Sequence, residues 1–165
     1  GPRDIDVMGA GSLIQLKNYE AFVRIVHELK KNNPAINAIL VGAGPEERNL
    51  QELAFRLGLH HNLKFAGSVS HQEVLQLMNR SKVFLHTSIY EGLSTVMLEA
   101  LYSGCFTVAG LPVADHPVDN FTQCSSEGEM TAAVRNALEG TSKNERVMVH
   151  DMHETARRIL GLYGL

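Results

Sequence analysis

The chain has 165 residues, 44% of them hydrophobic and 20% charged, a balance that fits one globular domain with its own core and excludes a disordered chain. Lys plus Arg number 15 and Asp plus Glu 18, a formal net charge of -3, which argues against a general nucleic-acid or anionic-membrane binder. The two cysteines, Cys105 and Cys124, are too few for a disulfide framework; no Cys or His spacing fits a structural zinc site, and no signal peptide or apolar run of about 18 residues occurs, so a cytoplasmic chain is expected.

Gly1-Pro2 has the look of a protease-cleavage scar, leaving residues 3–165 as the domain, with further chain expected elsewhere. Short apolar runs alternate with helical patterns from there on. Ile5 to Ala10 is the first predicted strand. Phe22, Ile25, Val26 and Leu29 form the stripe of an amphipathic helix within Lys17 to Asn32, and Asn32-Asn33-Pro34 ends it. Ile36 to Val41 is the second strand. Pro45 marks a helix start, Leu50, Leu53, Ala54 and Leu57 follow, and Gly58 suits its C-terminus.

Leu63 to Ala66 is the third strand. Ser70-His71-Gln72-Glu73 reads as a capping box opening a helix through Val74, Leu77 and Met78. Val83 to His86, a helix from Ser94 to Ser103 ending at Gly104, and a strand from Phe106 to Ala109 come next. Asn120 to Gln123 is a sixth strand. Ser126 to Glu129 is a second capping box before Met130, Ala133, Val134, Ala137 and Leu138. A last helix carries Met148, Met152, Ala156, Ile159, Leu160 and Tyr163. This alternation predicts an α/β fold: a doubly wound, Rossmann-like parallel sheet of about six strands, with any ligand beyond the strands' carboxyl ends.

The loops after Ala10, Val41, Ala66, His86 and Ala109 therefore matter most. Lys17 lies in the first, beside a helix that Asn18 is expected to cap. A cation there opposes the helix dipole by about 0.3–1 kcal/mol, whereas a bound anion would share the ammonium with the helix amides; a solvated lysine is the plainer reading. Thr87 to Ser94 follows the fourth strand. Gly92 permits close backbone approach, and the amides of Leu93, Ser94 and Thr95 would face an anion; alternatively Ser94 merely caps the helix. Glu99 is the one charge within an apolar helical run, so it is expected to be buried and to need a partner. Helical side chains lean toward the N-terminus, which aims Glu99 at the loop of Glu91. Two carboxylates at one crevice suit a polyol; a buried structural acid is the other reading.

The 8 histidines are scattered. His86 is placed nearest the crevice, as a structural imidazole; His60-His61, His71, His150 and His153 are placed away from it. Cys105 and Cys124 read as small buried hydrophobes. Asp4 and Asp6 precede their strand, and the third strand ends in Phe65-Ala66-Gly67, so a phospho-receiver domain is rejected.

Five blocks in order resemble the C-terminal, donor-binding half of a GT-B fold glycosyltransferase of the retaining family 4: Gly11-Ser12-Leu13-Ile14-Gln15-Leu16-Lys17-Asn18, Leu40 to Pro45, Phe65 to Val69, Ser88 to Ser94 with Glu99-Ala100, and Ser103 to Ala109. The fourth resembles the signature of two glutamates separated by seven residues. The resemblance implies a nucleotide-sugar donor, with Glu91 and Lys17 as catalytic residues. It places Glu99 on the ribose hydroxyls and Glu91 on sugar hydroxyls. Lys17 and the Leu93, Ser94 and Thr95 amides would bind the diphosphate with Gly92, and Gly67, Ser68 and Val69 would lie beside the base. Ser12 stands where the family often has Arg, losing a bidentate contact. The segment from Gly110 to Pro117 also departs from the family's loop.

The resemblance implies no metal and no cofactor beyond the donor, with a UDP-sugar favoured over a GDP- or ADP-sugar. The acceptor would belong to an N-terminal domain, through which any membrane contact on the inner face would run. The isolated domain would bind donor and transfer nothing. A degenerate, non-catalytic domain kept for interaction and another GT-B enzyme, such as a nucleotide-sugar epimerase, are the alternatives.

Overall fold

The structure is a computed structural model and describes residues 1–91, 94–140 and 144–149. Six strands make one sheet: β1 (Ile5–Ala10), β2 (Ala38–Val41), β3 (Leu63–Gly67), β4 (Ser81–His86), β5 (Phe106–Ala109) and β6 (Phe121–Gln123). Their order is β3-β2-β1-β4-β5-β6 and every pairing is parallel. β1 and β4 are neighbours although far apart in sequence, so the winding direction reverses between them. The carboxyl ends of these two strands open the crevice where doubly wound sheets hold ligands.

Among the described residues five helices cover the sheet: α1 (Tyr19–Asn32), α2 (Glu47–Arg56), α3 (His71–Asn79), α4 (Thr95–Tyr102) and α5 (Glu127–Glu139). One core joins α1, α2 and α5 to the sheet through Val7, Phe22, Val26, Leu40, Leu50, Val83 and Val134, all fully buried or nearly so. The other lies under α3 and α4 and holds Met8, Phe84, Met78, Met97 and Cys105. β1 feeds both: Val7 points into the first core and Met8 into the second, as strand alternation requires. This is why Val7 and Met8 are both apolar, where a strand covered on one face would alternate.

Element bounds shift where local bonding outweighs pattern. α1 starts at Tyr19, because Gln15–Lys17 is a separate 3-10 turn and Asn18 then takes a left-handed conformation, φ 51° and ψ 45°. Asn tolerates that geometry, but its side chain makes no capping bond, so the expected cap is absent. β2 begins at Ala38 because Asn37 is drawn into a bracket with β1: its amide donates to Asp6 Oδ2 at 2.9 Å and its side chain to the Asp4 carbonyl at 2.8 Å. α2 starts after Pro45, at Glu47. The first capping box forms in full, Ser70 Oγ accepting from the Glu73 amide and Glu73 from the Ser70 amide. The second forms in half, since the Glu129 carboxylate accepts from the Ser125 amide instead, at 2.7 Å. Met148 is exposed and outside any helix; Met152, Ala156, Ile159, Leu160 and Tyr163 of the predicted last helix lie outside the described residues, as do His150 and His153.

The glycines of Gly42-Ala43-Gly44 serve packing. Gly42 has φ 137°, and a Cβ there would stand 1.8 Å from the Gly11 carbonyl oxygen; one on Gly44 would stand 2.5 Å from that of Leu13. The β2 turn thus lies directly against the β1 turn and fixes its path. No helix of the described residues is long and apolar enough to cross a membrane.

Candidate functional site at the β1–β4 switch point

The turn after β1 and the turn after β4 are joined by backbone and side chain. The Ile89 amide donates to the Leu16 carbonyl at 3.0 Å, and the Thr87 hydroxyl donates to the Lys17 carbonyl at 2.9 Å. These bonds place Lys17 across from Glu91: Lys17 Nζ lies 2.6 Å from Glu91 Oε1, with both side chains less than one-fifth exposed. His86, the last residue of β4 and 2% exposed, hydrogen-bonds the other carboxylate oxygen through Nε2. A carboxylate only accepts, so His86 carries its proton on Nε2.

These three groups shape one another. Burial pushes the Glu91 carboxyl up, but the Lys17 and His86 hydrogen bonds outweigh it and hold Glu91 below the usual carboxylate range. Burial holds the His86 imidazole below its ordinary value against the opposing pull of Glu91. The cluster is therefore an ammonium, a carboxylate and a neutral imidazole. Beside it stands Tyr19, 3% exposed, whose hydroxyl meets no hydrogen-bond partner among the described residues. Burial and the nearby Glu91 charge both raise its pKa, so it remains a neutral donor. That hydroxyl occupies the space over Gly11, 2.6 Å from where a Cβ would be.

Ser94, at the start of α4, is 6% exposed, makes no capping bond and leaves its hydroxyl without a partner among the described residues. The capping alternative is thereby overturned: Ser94 has an extended backbone, φ -92° and ψ 95°, and its hydroxyl does not reach the first turn. The hydroxyl of Ser88, 4% exposed, is likewise unpartnered among the described residues. A buried hydroxyl without a partner costs about 1–3 kcal/mol, so two beside one loop suit groups that meet a ligand. Thr95 is exposed at the first position of α4. Gly92 and Leu93 lie outside the described residues.

Glu99 departs from its expected burial. α4 packs Met97, Leu98, Ala100 and Leu101 into the protein, but Glu99 lies on its flank, with a side chain 30% exposed. Its Oε1 meets His71 Nε2 at 2.7 Å, and no main-chain group holds it among the described residues. His86 is thus not alone at the crevice: His71, which the sequence marks only as part of a cap, meets the second acid. Gly67 ends β3 with φ 71°, exposed Ser68 and half-buried Val69 follow, and His71 opens α3 four residues beyond Gly67. Ser12 is exposed in the turn after β1.

Lys17 and Glu91 are brought into contact, whereas Glu99 is held from another element, α3. Tyr19 and His71 escape sequence reasoning, and Thr87 is named there only as part of its loop. Tyr19 adjoins an apolar stripe, where only its hydroxyl distinguishes it from Phe. His71 lies in a capping box that already explains its neighbours. Among the described residues no group of three or more His, Cys, Asp or Glu side chains is placed to hold a metal ion.

A family model described as glycosyl transferases group 1 matches residues 3–114. The phosphatidylinositol N-acetylglucosaminyltransferase gpi3 subunit of Schizosaccharomyces pombe is 25% identical over 93 residues, covering 56% of this chain and 20% of that protein. The chain spans well under half the length of the curated relatives it matches, 20% to 38% for the first few. A TarM variant of S. aureus, crystallised with fondaparinux, α-GlcNAc-glycerol and UDP, superposes with TM-score 0.77 at 15% identity, covering 97% of this chain and 33% of that one. HepE of Anabaena, crystallised with UDP and glucose, gives TM-score 0.72 at 23% identity over 96% of this chain and 49% of that one. At these identities the two structures speak to the fold.

Proposed function

The chain belongs to the glycosyl transferases group 1 family, and from that premise we propose that it is the donor-binding domain of a glycosyltransferase of retaining, family 4 type, which moves a sugar from a nucleoside-diphosphate sugar to an acceptor hydroxyl. The observation that carries this reading is the Lys17–Glu91 pair at the β1–β4 switch point. An ammonium and a carboxylate side by side at the rim of a doubly wound sheet offer a cation for phosphate and an acceptor for hydroxyls. The family match supports a glycosyl donor as the ligand of these two groups.

In this reading the diphosphate lies at the start of α4, where Ser94 and Thr95 begin the helix and amides point outward. Lys17 exchanges Glu91 for a phosphate oxygen and stabilises the leaving diphosphate as its bond to the sugar lengthens. Glu91, still held by His86, accepts from a sugar hydroxyl. Glu99 accepts from the ribose, and the turn at Gly67, Ser68 and Val69 borders the base. The neutral Ser12 adds one hydroxyl where an arginine would give two charge-assisted bonds. Donor affinity is therefore weak unless another part of the protein supplies a cation. UDP is the favoured nucleotide, supported by its presence in the TarM and HepE crystals. The acceptor is bound by another domain, so this chain alone binds donor without transferring the sugar.

Calorimetric titration of the 165-residue chain with UDP and with a UDP-sugar tests the reading. UDP binding that falls at least about tenfold in Lys17→Met supports it, a loss typical of one charge-assisted hydrogen bond. The absence of binding at millimolar UDP, or equal binding by the variant, overturns it. Binding of UDP without any gain from an attached sugar would favour a degenerate domain instead.

A further inference from the structure

We propose that His71 is a positioning residue for Glu99: its Nε2–H fixes one carboxylate oxygen so that the other stays turned to accept a hydroxyl of the bound nucleoside. The inference deepens the donor reading above and rests on it. The contact itself is His71 Nε2 to Glu99 Oε1 at 2.7 Å. A carboxylate has no proton to give, so the imidazole is the donor.

The two residues come from different elements and are each fixed independently. His71 is the first residue of α3, and the complete capping box of Ser70 and Glu73 sets that turn. Glu99 is in the second turn of α4, anchored by the buried Met97, Leu98, Ala100 and Leu101 around it. The hydrogen bond therefore spans two helices that pack on the same face of the sheet, and it is not a by-product of one turn.

Stability gives the pair little reason to exist. The His71 side chain is 68% exposed and that of Glu99 30%, and a pair this open contributes little to folding. Its effect falls on the carboxylate's freedom. An unheld glutamate loses rotamer freedom when it orders on a ligand, and a glutamate already tied at one oxygen has lost it beforehand, which is preorganisation. An imidazole suits the task better than an ammonium. It offers a single N–H in one direction, where an ammonium would offer three and compete with the ligand for both oxygens. It also avoids placing a fixed cation at the N-terminus of α3, where the helix dipole opposes it.

The effect belongs to the nucleoside and not to the diphosphate, which separates it from a general loss of fold. Affinities for UDP and for inorganic pyrophosphate are measured by calorimetry on the 165-residue chain and on His71→Ala, His71→Gln, Glu99→Ala and the His71→Ala/Glu99→Ala double variant. His71→Ala is expected to weaken UDP about three- to tenfold, the range of one hydrogen bond, and to leave pyrophosphate within about twofold. His71→Gln, whose amide N–H can reach the same oxygen, restores most of the loss. In the Glu99→Ala background, His71→Ala adds nothing. UDP binding that Glu99→Ala weakens but His71→Ala does not overturns this inference alone. So does an undiminished effect of His71→Ala without Glu99. Absence of UDP binding by the unaltered chain overturns the donor reading, and this inference with it.

Discussion

Glu91 and Glu99 stand eight residues apart and each meets a histidine Nε2, but their surroundings differ. Glu91 lies between Lys17 and His86, with both of its oxygens engaged and less than one-fifth of its side chain exposed. Glu99 has one oxygen on a histidine that is itself mostly in solvent. The same pair of groups therefore does two jobs. In a buried site the carboxylate and its donors depend on one another, because removing any one leaves the others desolvated and unpaired. On an open flank, water replaces a lost partner at little cost, and the contact matters for geometry.

The contrast breaks most visibly under substitution of the acids. Glu91→Ala should destabilise the protein by about 2–3 kcal/mol, because Lys17 and the buried His86 both lose their acceptor. Urea unfolding checks this, and a loss below about 0.5 kcal/mol would show that water already reaches the cluster. Acidification should act next, through the buried Lys17–Glu91–His86 cluster. Burial holds the His86 imidazole below its ordinary 6.5. The unfolded chain then takes up that proton at higher pH than the folded chain. The stability His86 contributes is present above about pH 6.5 and is lost as pH falls through its lowered folded value. Glu91, held below its ordinary 4.5, adds a second loss at lower pH. Thermal melts from pH 7 down to about pH 2 should show both losses, the second below the ordinary 4.5 of Glu91, and His86→Asn should remove the first while leaving the second. An unchanged profile in that variant would assign the first loss to other histidines.

The smallest effect on folding is expected at the other acid. Glu99→Ala should change stability by no more than about 0.5 kcal/mol while reducing UDP affinity. A stability loss as large as that of Glu91→Ala would show that Glu99 is structural and that its partner in solution is not His71 alone.

Much of this arrangement is legible in the chain. The apolar runs at Ile5–Ala10 and Phe106–Ala109 mark strands with the observed bounds, because both are covered on two faces and their polar neighbours are sharp. Alternation of strands and helices implies a switch point, and the switch point puts Lys17 and Glu91 on one rim although 74 residues separate them. Periodicity reports which face of an element is apolar, not what lies opposite its edge. Glu99 looks buried because its helix is apolar in composition; in three dimensions the flank of α4 is open. His71 and Glu99 are 28 residues apart on different helices, and no local rule joins them. Asn18 breaks the expected helix start because a left-handed residue leaves no mark in hydrophobic pattern. Tyr19 packs into the core, but the position of its hydroxyl depends on Gly11 and on the loop beyond β4, both set by tertiary contacts.

A crystal structure of the chain grown with UDP would reveal where the donor sits. Lys17 Nζ should have moved from Glu91 to the diphosphate at the start of α4, with His86 still on Glu91 and the ribose on the free oxygen of Glu99 while His71 holds the other. A nucleotide bound away from the β1–β4 crevice, with Lys17 and Glu91 still paired, would contradict this placement.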